Sequence, residues 1–197
     1  FIAQAMTTGL NDKPWSQQGE IKFLCPSPGY DRHFAICEHF GIKMIPIAMD
    51  TTGPDIEEIE RLVKDPSVKG MWCVPKYSNP QGITYSDEMV RRIAALKPAA
   101  KDFRIMWDNA YSIHVVSAND TLMNVLDECK KAGNPDLVVE FASTAKITFP
   151  GGGIACVAAN KGNLALIRKR MSVQTICNDK VNQLRHAKMF PNFAALE

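Results

Sequence analysis

Residues 68–108, VKGMWCVPKYSNPQGITYSDEMVRRIAALKPAAKDFRIMWD, decide the fold. Residues 68–74 are an apolar run of strand length, and residues 75–82 hold the prolines and glycine of a loop. Ser86 stands where a helix N-cap belongs, before a segment that reads as helix to about Lys97. Residues 103–108 are a second apolar run of strand length. A strand, a helix of ten or so residues and another strand form a βαβ unit, whose two strands lie parallel in one sheet.

The same alternation extends in both directions. Residues 21–25 read as a strand, followed by a turn containing Pro26, Pro28 and Gly29, then a helix over 30–40 with Gly41 just past its end. Residues 43–49 form another strand, and Pro46 marks it as an edge, since proline cannot donate to a ladder. Gly53-Pro54-Asp55 opens a helix to about residue 64. Downstream come a helix over 121–132 stopped by Gly133-Asn134-Pro135, strands at 137–143 and 154–159, and helices at 161–172 and 181–189. Residues 1–8 read as the end of a helix, 10–20 as a polar loop and 109–119 as irregular. Near-continuous apolar strands fit a sheet buried on both faces. The expectation is an α/β fold, a mostly parallel sheet with helices on both faces, forming one domain over residues 1–197.

Composition sets the boundaries. The 197 residues are 46% hydrophobic and 22% charged, values that exclude a disordered, collagen-like or coiled-coil chain. No apolar run approaches the ~20 residues of a membrane helix, so no membrane partner is expected. The chain starts at Phe1 with no methionine or basic leader, and is expected to be a piece of a longer protein. Net charge is +2, with seven basic and two acidic residues concentrated in 161–197. No aromatic interleaving or nucleic-acid motif accompanies that basic stretch, which reads as a solvated helix face rather than a phosphate-binding surface. The six cysteines lie at least 12 positions apart, without zinc-ligand spacing, and read as reduced thiols of a cytoplasmic protein. His33, His39, His114 and His186 have no ligand spacing either, so no metal site is expected.

In open α/β sheets, ligands bind beyond the carboxyl ends of the strands. Just past four of the expected strands stand Gly29-Tyr30, Asn79-Pro80-Gln81-Gly82, Asn109-Ala110-Tyr111 and Thr144-Ala145-Lys146, with Asp108 and Ser143 closing their strands. Each motif is common alone. Their order is less so, with 49, 29 and 38 residues separating Tyr30, Asn79, Asp108 and Lys146. On these residues the chain resembles the core of the large domain of a fold-type I pyridoxal-phosphate (PLP) aminotransferase, of the MocR-type group called aspartate aminotransferases. No G-x-G-x-x-G or P-loop match supports a nucleotide-binding alternative.

The resemblance implies PLP as cofactor and transamination between an amino acid, aspartate by the group's name, and a 2-oxo acid. Lys146 would carry the cofactor aldehyde as a Schiff base and later move the proton, its amine tuned by partial desolvation. Asp108 would face the pyridine nitrogen and keep the ring protonated. Tyr111 and Asn79 would donate hydrogen bonds to the phenolic oxygen, Tyr30 would stack on the ring, and Ser143 would bond the phosphate. The catalytic set is Lys146, Asp108 and Tyr111, and the cofactor-binding set adds Tyr30, Asn79 and Ser143. The same anchors would serve a PLP-dependent lyase or decarboxylase, or the PLP-sensing domain of a MocR-type regulator. A homodimer is the family's assembly. Two departures stand out. The arginine that many members carry eight residues past the lysine is Ile154 here, and Gly151, Gly152 and Gly153 before it suggest a backbone anion nest instead. The family's upstream phosphate loop and its downstream small domain with a substrate-carboxylate arginine have no match in these residues.

Overall fold

Alternating side chains send each strand's residues to opposite faces, and both faces here are apolar. The computed structural model describes residues 1–10, 13–117 and 121–195. Its strands are β1 (Lys22–Ser27), β2 (Lys43–Ala48), β3 (Val68–Cys73), β4 (Arg104–Asp108), β5 (Val138–Ser143) and β6 (Ala155–Ala158). Its helices are α1 (Ile2–Thr8), α2 (Asp31–His39), α3 (Ile56–Leu62), α4 (Asp87–Ala94), α5 (Val125–Lys131), α6 (Lys161–Gln174) and α7 (Lys180–Met189). The sheet order is β2-β1-β3-β4-β5-β6. All neighbours are parallel except β6, which runs antiparallel to β5. The mostly parallel α/β expectation therefore holds, and Pro46 does lie in an edge strand.

Leu24, Met71, Ile105 and Val138 face one way and pack with Ile59 of α3, Val90 and Ile93 of α4, and Cys129 of α5. Phe23, Cys25, Trp72 and Met106 face the other way and pack with α1, α2 and Trp15. Helices thus cover both faces. The Ser86 hydroxyl accepts the Met89 N–H at 3.1 Å, as the sequence leads one to expect.

Two local expectations are corrected. The helix placed at 121–132 begins only at Val125, because the Asn124 side chain accepts the amides of Leu126 and Asp127 and fixes the start there. The loop at 10–20 is less polar in role than in composition: it delivers Trp15, fully buried, onto the second core. Residues 11, 12, 118, 119 and 120, which the loop readings included, lie outside the described residues.

Trp15 is held by a buried polar knot. Its indole N–H donates to Asp102 at 2.9 Å, and the same carboxylate accepts from Lys69 at 2.7 Å and Gln18 at 3.1 Å. Burial opposes ionisation of Asp102, and the bonds from Lys69, Gln18 and Trp15 outweigh it, holding the carboxyl below its ordinary value. A carboxyl with a depressed folded-state pKa stabilises the fold above its unfolded value near 4 and loses that contribution as pH falls through the folded value. Melting temperature should therefore drop on acidification from about pH 5 to about pH 2, and Asp102→Asn should flatten part of that drop. Asp102→Ala, which strands Lys69, should cost roughly 3–5 kcal/mol in denaturant unfolding.

Candidate active site

The carboxyl ends of β1, β3, β4 and β5 share one edge of the sheet because these strands run parallel. At that edge lies an open cavity of about 190 Å³ lined by Tyr30, Val74, Asn79, Asp108, Ala110, Tyr111, Ser143 and Lys146. The six side chains singled out in the sequence, Tyr30, Asn79, Asp108, Tyr111, Ser143 and Lys146, all line it.

Each arrives for a local reason. Tyr30 sits at the N-cap position of α2. Gly29 before it cannot bear a side chain, since a Cβ there would clash with the Pro26 carbonyl oxygen and lie 2.8 Å from the Phe34 ring. Asp108 ends β4 with the same facing as Met106, toward the α2 side of the sheet. The Asn79 loop is tied across its base by Ser78 N–H to Ile83 O at 2.8 Å and Tyr85 N–H to Pro75 O at 2.8 Å. Beside it Tyr77 adopts a φ of 48°, a left-handed conformation that a bulky residue resists. Its hydroxyl accepts the Val116 N–H at 2.9 Å, and its ring meets Tyr111 edge-on at 6.5 Å. The Lys146 ammonium lies 5.6 Å from the centre of the Tyr111 ring, within cation–π range.

A residue that spacing rules did not find stands directly behind the site. His33, in the first turn of α2, places Nε2 at 2.9 Å from an Asp108 carboxylate oxygen. A carboxylate only accepts, so Nε2 carries the hydrogen. The imidazole is stacked on Trp72 at 4.2 Å with planes 5° apart, and Tyr30 meets it edge-on at 5.4 Å. Trp72 is fixed in turn by its indole N–H, which donates to the Cys37 sulfur at 3.3 Å. Hydrogen bonds from Cys25 and Trp72 hold the Cys37 thiol below its usual range. The signal for His33 was available only as its position three residues past Tyr30, on the turn of helix facing the strand ends.

Two expectations about the site change. Gly151, Gly152 and Gly153 do not line the cavity. Gly152 N–H is spent on Phe149 O at 3.2 Å and Ile154 N–H on the Thr144 hydroxyl at 2.9 Å, so these two amides serve the loop itself. Gly153 instead permits close approach, its missing Cβ lying 3.0 Å from Ala145 N. Lys146 is also exposed on this chain, as are Tyr30, Asn79 and Ser143. The desolvation expected at the amine is not provided by the described residues.

A Thermus thermophilus α-aminoadipate aminotransferase, solved with a phosphopyridoxyl-leucine, shares the fold at TM-score 0.76 and 19% identity, covering 90% of this chain and 45% of that one. The family model for aspartate amino-transferase matches residues 1–197, and the chain belongs to that family. It is 43% identical over 194 residues to an aspartate aminotransferase of Corynebacterium glutamicum, covering 96% of this chain and 44% of that protein. A solved aspartate transaminase of the same organism superposes at TM-score 0.95 with 40% identity, covering 99% of this chain and 47% of that one. The chain thus spans less than half the length of these relatives.

Gly29→Ala should cost roughly 1–3 kcal/mol through the clash with Pro26 and Phe34, read as a lower melting temperature. The same variant should displace Tyr30, read as a change in tyrosine fluorescence.

Proposed function

We propose that the protein carrying this chain is a PLP-dependent transaminase that moves an amino group between an amino acid and a 2-oxo acid. Aspartate is the first donor to test, from the names of the family and its Corynebacterium glutamicum relative. The observation that carries this proposal is the meeting of Lys146 and Asp108 on one cavity, from the ends of adjacent strands β5 and β4. An amine, a carboxylate, two phenols, an amide and a hydroxyl around one cavity match the donor set that a phosphorylated, aldehyde-bearing pyridine requires.

When bound, the cofactor supplies an aldehyde that takes up the amino group and a protonated ring that withdraws electrons from the substrate α-carbon. Asp108 would face the ring nitrogen and favour its protonated form, and His33 donates to that carboxylate and keeps its orientation. Tyr30 offers an aromatic face to the ring. Asn79 and Tyr111 would donate to the phenolic oxygen, and Ser143 would donate to the phosphate. Lys146 would hold the cofactor aldehyde and, once freed by substrate, would supply the amine that moves the substrate proton. The exposure of Lys146, Tyr30 and Asn79 supports a site completed by further protein, from the rest of a longer chain or from the second subunit of a homodimer. Among the described residues no helix is long and apolar enough to cross a membrane. Four cysteines serve as buried core residues, which supports a cytoplasmic setting.

Borohydride reduction of the PLP-loaded full-length protein, followed by peptide mass mapping, should place the pyridoxyl group on Lys146; label on another lysine would remove the proposal. Lys146→Ala should lower turnover by roughly 10²–10⁴. The 197-residue chain purified alone should transaminate weakly or not at all, and sustained turnover by it would contradict a site completed from outside these residues.

A further inference from the structure

We propose that His186 of α7 is a positioning residue for Lys146, acting through the Thr144 hydroxyl; the inference rests on Lys146 having the role proposed above. Helix α7 is amphipathic the wrong way round for a core helix. Val181, Leu184 and Met189 are 65%, 55% and 61% exposed, whereas His186 is 6% exposed. Burying an imidazole while leaving aliphatic side chains in water is unfavourable unless the ring has partners. It has two. Nδ1 lies 2.9 Å from the Asn182 carbonyl oxygen and Nε2 lies 2.8 Å from Thr144 Oγ1. A carbonyl can only accept, so Nδ1 carries the hydrogen; in that tautomer Nε2 accepts from the Thr144 hydroxyl, whose other acceptor, the Ile154 carbonyl oxygen, lies farther off at 3.5 Å.

Thr144 is the hub of the turn that carries Lys146. Its N–H donates to Ile154 O at 2.9 Å, and its hydroxyl accepts the Ile154 N–H at 2.9 Å. Its carbonyl accepts from Ile147 N–H at 3.1 Å, Thr148 N–H at 2.9 Å and the Thr148 hydroxyl at 2.8 Å. A hydroxyl has one hydrogen to give. By accepting it, His186 leaves the oxygen lone pairs for Ile154 N–H and sets the hydroxyl rotamer. Asn182, one turn earlier on α7, donates from its amide to Gly153 O at 3.3 Å, on the other limb of the same loop. Helix α7 therefore clasps both limbs of the segment from Ser143 to Ile154, with Lys146 between them. The Lys146 side chain is exposed and bonded to no carboxylate among the described residues, so its place at the cavity depends on this backbone.

The test uses the full-length protein with three single variants and one double. His186→Leu removes the acceptor at similar bulk, His186→Gln returns an acceptor near the Nε2 position, and Thr144→Val removes the hydroxyl without changing shape. Amide hydrogen exchange over residues 143–154, measured without cofactor, should speed up in His186→Leu and Thr144→Val and return toward wild type in His186→Gln. PLP affinity, read from the borohydride-trapped Lys146 yield at limiting cofactor, should fall roughly three- to tenfold in the first two, the size of one lost hydrogen bond, and recover in the third. The double variant His186→Leu/Thr144→Val should be no worse than either single one. Unchanged exchange and affinity in His186→Leu, or a glutamine variant as impaired as the leucine one, would overturn the proposal. If His186→Leu fails to fold, Thr144→Val against His186→Gln decides it in the same way. Wild-type protein that traps PLP on another lysine would instead refute the cofactor assignment, and the exchange data would still show whether α7 holds the turn.

Discussion

From β1 through β5, neighbouring strands run the same way, and that shared polarity determines where chemistry can sit. Parallel pairing puts the carboxyl ends of strands separated by 30 or more residues along a single edge. Crossover helices α3, α4 and α5 make the polarity possible by returning the chain across one face, and the side chains of β3 and β4 pack into cores on both faces. A slip of one residue in β4 would turn Asp108 to the opposite face and Trp107 into the cavity. The site is therefore only as well defined as the packing of Trp107, Ile105 and Met71 beneath it.

Behind the cavity the residues form a stack rather than a set of independent groups. Cys37 holds the indole N–H of Trp72, Trp72 supports the His33 ring, and His33 holds one oxygen of Asp108. Cys37, Trp72 and His33 are buried and Asp108 is half-buried, so the bonds behind the acid have little competition from water. On the other side of the cavity the supports are backbone turns: the Asn79 loop and the turn of Lys146, the latter tied to α7. The acid is thus held by side chains packed against the sheet, and the amine by a loop. That contrast suits the roles proposed for them, an acid that would keep its orientation and an amine that would swing between partners.

Much of this was legible from the chain alone. The apolar runs at 68–74 and 103–108, with Ser86 between them, foretold a parallel pair, and Pro46 foretold an edge. The order of Tyr30, Asn79, Asp108, Tyr111, Ser143 and Lys146 along the chain was enough to name six residues that line one cavity. His33 was missed because its partner is 75 positions away and the contact depends on where α2 packs. Trp15 was missed for a similar reason: a tryptophan among polar residues reveals its burial only through Asp102, 87 positions on. The glycines before Ile154 looked suited to an anion, yet they do not line the cavity and the Gly152 amide is committed to the loop itself, which no local pattern discloses.

Local propensity and alternation act over a few residues, so the sequence by itself determined the elements, their parallel class and the strand ends where a ligand would lie. Only the tertiary structure decided which distant groups support those ends. The bonds of His33 to Asp108, of Lys69 to Asp102 and of His186 to Thr144 each close a loop of more than 30 residues. Such contacts depend on the packing of whole helices against the sheet, and a short-range pattern carries no information about that packing.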